Sequence, residues 1–171
     1  MSAARKPMPL ATLPLAPFLA LNNTHALELS LATEARFQSL VSASCYAKGF
    51  TEPAGFLLSF DETADIDGVN YRWFKDRFQR FVYIDRVVID ASARRQGLAR
   101  TLYADLIAWA QRAEHTSVGC EINSDPPNAA SDVFHARLGV RPIGSAQLIE
   151  SHKTVRYMML DLAPSLGGQR T

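Results

Sequence analysis

Residues able to do chemistry gather in the middle of this chain. Val87-Val88-Ile89 is an apolar, β-branched run, Asp90 to Ala93 is a short polar turn, and Arg94-Arg95-Gln96-Gly97-Leu98-Ala99-Arg100 opens an amphipathic stretch. A strand that feeds a helix N-terminus through a cationic, Gly-containing turn brings free backbone N–H groups and the positive helix end to one point. That arrangement is an anion cradle. Gly97 lets the backbone approach a phosphate with no Cβ in the way, and Arg94, Arg95 and Arg100 add charge. Two carboxylates are candidate bases. Glu121 sits in a period-two segment with Val118, Cys120 and Ile122 on one face and Gly119, Glu121 and Asn123 on the other. Its alternative is a structural ion pair with a nearby arginine. Asp85 interrupts an apolar run, where an unpaired charge is costly, and its alternative is likewise pairing with an arginine across the sheet. His135 is a candidate proton donor, since an imidazole can donate as cation or through its neutral N–H; the alternative is a helix-surface histidine.

The elements around these residues follow from periodicity. Phe81–Ile89 reads as the strongest strand, apolar on both faces except at Asp85 and Arg86, hence central and buried. Gly97–Glu114 reads as the strongest helix, with Leu98, Leu102, Leu106, Ala110 and Ala113 as its inner stripe. Ser117–Asn123 is a strand. Asp125-Pro126-Pro127-Asn128 is a rigid turn, from which Asn128 caps a helix carrying Val133, Phe134 and Leu138. Gly139 suits the left-handed position that ends this helix, and Pro142 stops its continuation. Val140–Ile149 and Thr154–Leu162 are two closing strands. Earlier, Thr33 caps a helix whose face holds Phe37, Leu40, Val41 and Cys45, closed by Gly49. Gly55–Phe60 is a short strand, Asp61–Asn70 an acidic loop, and Tyr71–Arg80 a short helix. Strands joined through a helix lie parallel and the final pair antiparallel, so the fold class is α/β with a mixed central sheet. Residues 1–171 form one domain, with 1–25 poorly assigned, 81–162 as core and 164–171 as a tail.

Composition sets limits. The chain has 171 residues, 47% hydrophobic and 20% charged, with a net charge of +1. This is ordinary globular composition, with no field to draw the protein to nucleic acid or to a membrane. Two cysteines, Cys45 and Cys120, do not make a disulfide framework. They fit a reducing compartment, here the cytoplasm, as small buried residues. Arg5 and Lys6 precede the apolar stretch Leu10–Leu21, but Pro9, Pro14 and Pro17 break it, so a secretory leader is not expected. Asp65-Ile66-Asp67-Gly68 begins like a calcium loop, yet Phe74 stands where the twelfth-position Glu belongs, which makes it a solvated loop. His25, His115 and His152 show no metal-ligand spacing, and no metal is expected. Arg72, Trp73, Lys75, Arg77 and Phe78 fit a packed surface helix or a lid over an acceptor site better than a nucleic-acid contact.

Three pieces in order resemble the GCN5-related N-acetyltransferase superfamily. Arg94-x-x-Gly97-x-Ala99 is similar to that family's pyrophosphate loop. Asn128 and Gly139 keep the spacing of its later Asn-x₆-Tyr-x₃-Gly motif, with His135 in the place of the tyrosine. Cys120-Glu121-Ile122-Asn123 resembles the Leu-Glu-Val strand of ribosomal-protein N-terminal acetyltransferases, although Asp125-Pro126-Pro127 departs from the shorter loop there. The match is good from Phe81 to Leu162 and vague before it.

The resemblance implies acetyl-coenzyme A as donor and coenzyme A as product, held in a cleft where central parallel strands splay. Backbone of Val87, Val88 and Ile89 would pair with the pantetheine arm. The N–H groups of Gln96, Gly97, Leu98, Ala99 and Arg100, with Arg94 and Arg95, would wrap the pyrophosphate, and Asn128 and Ser131 would complete the contact. One N–H of the 87–89 stretch would stabilise the developing oxyanion, a contribution of ~3 kcal/mol where such a donor is preorganised. Glu121, with Asp85 as rival, would deprotonate a primary amine, and His135 would protonate the leaving thiolate, without a covalent acyl-enzyme. The acceptor is a small-molecule amine or a peptide N-terminus, and a homodimer is an open alternative. A non-catalytic acyl-coenzyme A sensor is the second reading. A phosphate-loop protein for another nucleotide is a remote third, since the loop lacks a Lys-Ser/Thr ending.

Overall fold

A computed structural model describes residues 5–25 and 29–164; the tail expected at 164–171 lies outside these apart from Pro164. The elements are β1 (Met8–Pro9), α1 (Ala16–Thr24), α2 (Glu34–Ala43), β2 (Tyr46–Gly49), β3 (Gly55–Asp61), α3 (Val69–Lys75), β4 (Phe81–Ile89), α4 (Leu98–Arg112), β5 (Ser117–Asp125), α5 (Ala129–Arg137), β6 (Arg141–Leu148) and β7 (Lys153–Asp161). The strands make a seven-stranded sheet in the order β1-β2-β3-β4-β5-β7-β6. β4 and β5, joined through α4, are parallel, while β1/β2, β2/β3, β5/β7 and β6/β7 are antiparallel. This is the mixed α/β sheet that the strand and helix periods require.

The chain divides into two compact units. The first holds β1 to β3, α1, α2, β4 from Ile84 onward and α4 through Trp109. Thr33 caps α2 by accepting a hydrogen bond from the Arg36 N–H at 3.2 Å, and Phe37 and Leu40 are buried. The helix stops at Ala43, however, and residues 46–49 form β2, not a helical continuation. Gly49 is the last residue of β2, where a Cβ would lie 2.8 Å from the Phe18 ring and 2.9 Å from Leu10. Phe56 of β3 meets Phe18 and Phe37 edge-on, with ring centroids 6.0 and 5.7 Å apart. The N-terminal stretch is likewise structured, because Pro17 falls in the first turn of α1, where no backbone donor is lost. β2 is tied to α4 through Asp105, which accepts from the Tyr46 hydroxyl at 2.7 Å and Lys48 Nζ at 2.6 Å.

The second unit holds α3, β4 through Tyr83, β5, α5, β6 and β7. Its centre is a close approach of α3 to the sheet. A Cβ on Gly119 would sit 2.3 Å from the Phe74 ring, and one on Gly144 would sit 2.7 Å from the Trp73 ring. Phe74 also packs on Phe81, Tyr83 and Tyr157. Trp73 stacks on Tyr157 with centroids 4.0 Å apart and planes 16° from parallel, and the Arg77 guanidinium lies 4.4 Å from the outer face of the indole. α5 begins as expected, with Asn128 Oδ1 accepting from the Ser131 N–H at 3.2 Å, and Gly139 has φ +78°. Its apolar face differs from the expectation: Val133 is 52% exposed, whereas His135 is buried.

Gly119→Ala tests the close approach. A methyl group here has to displace Phe74, and overpacking of this kind costs about 1–3 kcal/mol. The urea midpoint is expected to fall by that energy divided by the m-value, with m itself unchanged, since the fold is weakened without altering the surface that unfolding exposes.

Candidate active site

The anion cradle forms in the first unit. After β4, Asp90 turns the chain by accepting from the Ser92 N–H at 2.9 Å. Arg95 and Gly97 then both take left-handed backbone, φ 62° and 74°, before α4 starts at Leu98. A Cβ on Gly97 would meet nothing within 4 Å. Glycine is therefore favoured by the backbone angle, and the space beside it is open. Arg94, Arg95, Gln96, Gly97 and Arg100 are exposed, Ala99 is half-buried, and Leu98 is buried as the first residue of the α4 core stripe. Positive-φ residues leading into a helix N-terminus form a concavity of backbone donors, and the surrounding guanidinium groups suit a multiply charged anion.

The strand before the cradle has two distinct edges. Asp90 donates its N–H to the Ala54 carbonyl at 2.8 Å, and the Val88 carbonyl lies against Gly55, 2.7 Å from where a Cβ would be. Along a strand, backbone groups alternate in direction. Val88 thus faces β3, and Val87 and Ile89 present their N–H and C=O groups on the opposite edge. The pairing of β4 with β5 runs from Phe81↔Ser117 to Tyr83↔Gly119.

Asp85 is held by its neighbour. Arg86 Nε donates to its carboxylate at 2.7 Å, the Arg86 side chain is 9% exposed, and its other arm donates to Asn22 Oδ1 at 2.8 Å. Asn22 is fully buried and also donates to the Ser30 carbonyl at 3.2 Å. The arginine partner comes from the same strand, not from across the sheet, and the carboxylate is part of a buried network.

Glu121 lies in the second unit, half-buried, directly opposite Tyr157 in the β5/β7 ladder. The two share the face covered by α3. Burial and the Glu121 charge both push the Tyr157 hydroxyl above its ordinary pKa. That hydroxyl donates to Asn70 Oδ1 at 3.0 Å. Tyr157 and Asn70 are not among the residues expected for the site. Their signal was indirect: Trp73 stood out in the lid helix, and Gly144 and Tyr157 face each other in the closing hairpin.

His135 is buried in α5, with Nδ1 2.8 Å from the Ser131 carbonyl. A carbonyl only accepts, so Nδ1 carries the proton and Nε2 the lone pair in the neutral ring. Burial is the largest influence and lowers the His135 pKa, against the raising effects of the Ser131 carbonyl and Asp132. Donation from Nε2 requires the imidazolium, the form that burial disfavours. Ser131 and Asn128 are both engaged in building this helix start. Burial also suppresses thiolate formation at both cysteines, holding Cys120 far above the ordinary thiol range and pushing Cys45 up to about 12.

The sequence matches the acetyltransferase (GNAT) family over residues 18–140, and the chain belongs to that family. It is accordingly an acyltransferase, with acetyl-coenzyme A as the donor its family uses. A search of curated proteins finds no match. Among solved structures, the ribosomal-protein-S18-alanine N-acetyltransferase from Escherichia coli is similar, with a TM-score of 0.70 at 16% identity over 98% of each chain. The ribosomal-protein-alanine N-acetyltransferase from Brucella melitensis gives 0.64 at 23% identity, covering 86% of this chain and 94% of that one. A GNAT-family acetyltransferase from Streptococcus pneumoniae gives 0.63 at 17%, covering 86% and 93%. These likenesses show the fold. No helix of the described residues is long and apolar enough to cross a membrane.

The lowered pKa of His135 has a consequence for stability. Between the folded value and about 6.5 the unfolded chain binds more protons at this position. The contribution is therefore fully present above about 6.5 and is lost as pH falls toward the folded value. The urea midpoint of the native protein is expected to fall between pH 7.5 and pH 5.5, and to fall less in His135→Gln; an equal drop in both would assign the acid sensitivity to other groups.

Proposed function

We propose that this protein transfers an acetyl group from acetyl-coenzyme A directly to a primary amine, on a peptide N-terminus or a small molecule, with Glu121 as the base. The observation that carries the reading is the cradle at Arg94–Arg100, where two left-handed residues and exposed arginines precede a helix start. A pyrophosphate fits this donor set, with the N–H groups from Gln96 to Arg100 around it. Val87 and Ile89 offer the strand edge for the pantetheine amides, and a backbone N–H there stabilises the negative charge on the carbonyl oxygen. When bound, the coenzyme supplies the activated thioester.

An amine attacks only as the free base, and a peptide α-amine with a pKa of about 7.7–8.0 is largely protonated at neutral pH. Glu121 removes that proton directly or through a water molecule. A carboxylic acid of ordinary pKa about 4.3 is a far stronger acid than a thiol of about 8.5. The proton taken from the amine can thus pass on to the departing sulfur or to water, with no second acid of matched pKa. We assign His135 to holding α5 through Ser131 and Asp85 to the Arg86–Asn22 network. The suppressed thiolates of Cys45 and Cys120 favour transfer in one step over a covalent acyl-cysteine. The peptide arm of the proposal is supported by the two ribosomal-protein-alanine acetyltransferases among the similar structures.

Thermal melting with acetyl-coenzyme A, desulfo-coenzyme A and ATP is the first test, because a ligand of the folded state alone raises apparent stability. Both coenzyme forms are expected to stabilise the protein and ATP is not; the absence of a shift with either coenzyme would remove the donor site. Glu121→Gln is then expected to lower kcat by roughly 10²–10⁴-fold with the coenzyme-induced shift retained. Full activity in that variant would take the base role away from Glu121.

A further inference from the structure

The family fold does not identify the amine, but the face around Glu121 carries information about it. We propose that Asn70 of α3 is a specificity residue for acceptors that carry a carbonyl next to the amine, as a peptide N-terminus does and a simple alkylamine does not. The inference rests on the reading of Glu121 as the base.

The Tyr157 hydroxyl donates to Asn70 Oδ1 at 3.0 Å, so the opposite side of the Asn70 side chain is its NH₂ group. That group has no partner shown among the described residues, and Asn70 is half-exposed. Tyr157 cannot swing away to change this assignment. Its ring is 1% exposed and sandwiched under Trp73, with centroids 4.0 Å apart. Trp73 in turn lies over Gly144, where the missing Cβ makes room for the indole, and Arg77 stacks on its outer face. The Asn70 amide is therefore aimed by a rigid aromatic stack, and a donor held by packing loses little entropy when it binds a ligand.

Glu121 and Tyr157 are directly opposed in an antiparallel ladder, where facing side chains start about 4.5–5.5 Å apart at Cβ. The Glu121 charge is felt at the Tyr157 hydroxyl. An amine beside Glu121 thus brings its own substituents toward α3. A carbonyl on the adjoining carbon would accept from the Asn70 NH₂. A plain alkyl chain would leave this donor unmatched, and a site built to hydrogen-bond a substrate group discriminates strongly against analogues lacking it.

The test uses the full-length protein with acetyl-coenzyme A and two acceptors, a short peptide beginning with alanine and propylamine. Asn70→Leu removes the NH₂ group, keeps a side chain of similar size and adds no charge on the face of Glu121. It is also compatible with α3, since leucine is a good helix former. The expected result is a loss of tenfold or more in kcat/KM for the peptide, carried by KM, with less than a twofold change for propylamine. Tyr157→Phe keeps the stack but frees the amide to rotate, and is expected to give a smaller loss with the same acceptor preference. Equal losses for both amines, no loss for the peptide, or a native protein that acetylates propylamine but not the peptide would each overturn the proposal. Coenzyme-induced stabilisation of each variant is measured alongside. Loss of that shift in the native protein would strike the donor site itself, whereas a retained shift with wrong acceptor selectivity strikes only the role of Asn70.

Discussion

Phe74 occupies the volume that a Cβ on Gly119 would need, and Trp73 does the same above Gly144. This paired absence of side chains lets a short helix lie directly on the sheet. α3 is only Val69–Lys75, too short to be stable by itself in water, so its existence depends on what it covers. Two glycines on β5 and β6, the strands on either side of β7, allow two large rings to pack against the sheet, and this packing fixes the helix. Everything on that face follows: Tyr157 is pinned, its hydroxyl donates to Asn70, and Glu121 lies opposite Tyr157 on the same face.

The elements that the sequence made legible are those whose signals are local. Phe81–Ile89 is β-branched and aromatic except at Asp85 and Arg86 and is a strand over those residues. Of the stripe Leu98, Leu102, Leu106, Ala110 and Ala113, the first four are buried, as period 3.6 demands, while Ala113 falls past the end of α4 at Arg112 and is half-buried. Thr33 and Asn128 both accept from backbone donors three residues on. Tyr46–Gly49 behaved differently. Its identity as a strand comes from pairing with the nearby β3, Tyr46 opposite Ser59, and from the grip of Asp105 on Tyr46 and Lys48, a residue more than fifty positions away that no local pattern announces. The prolines near the N-terminus read as breakers, yet Pro17 merely opens a helix.

The site shows the same division. Loop geometry was readable because glycine at position 97 suits a left-handed backbone angle, and so were the two faces of β5 from simple alternation. Asp85 needed a tertiary answer: its arginine is the adjacent Arg86, whose long side chain turns back while also reaching Asn22. His135 was assigned to chemistry by motif spacing, while a different physical demand governs its ring. It is buried where Val133 was expected to be, and a buried imidazole must satisfy its N–H, which it does on a carbonyl one turn earlier.

That satisfied N–H changes what an acyl transfer on this scaffold requires. A tyrosine hydroxyl can donate while neutral. A histidine whose only neutral donor is already committed must first be charged, in surroundings that resist the charge. If the proton that neutralises the thiolate does not come from this ring, the economical source is the one just removed from the amine. The large gap between carboxylic-acid and thiol pKa values makes that relay downhill. One well-placed carboxylate then serves both steps, and the constraint on the face around Glu121 moves from holding a second acid to orienting the acceptor. The rigid stack of Arg77, Trp73 and Tyr157 meets that requirement, because it fixes the neutral amide of Asn70 on the face that carries the proposed base.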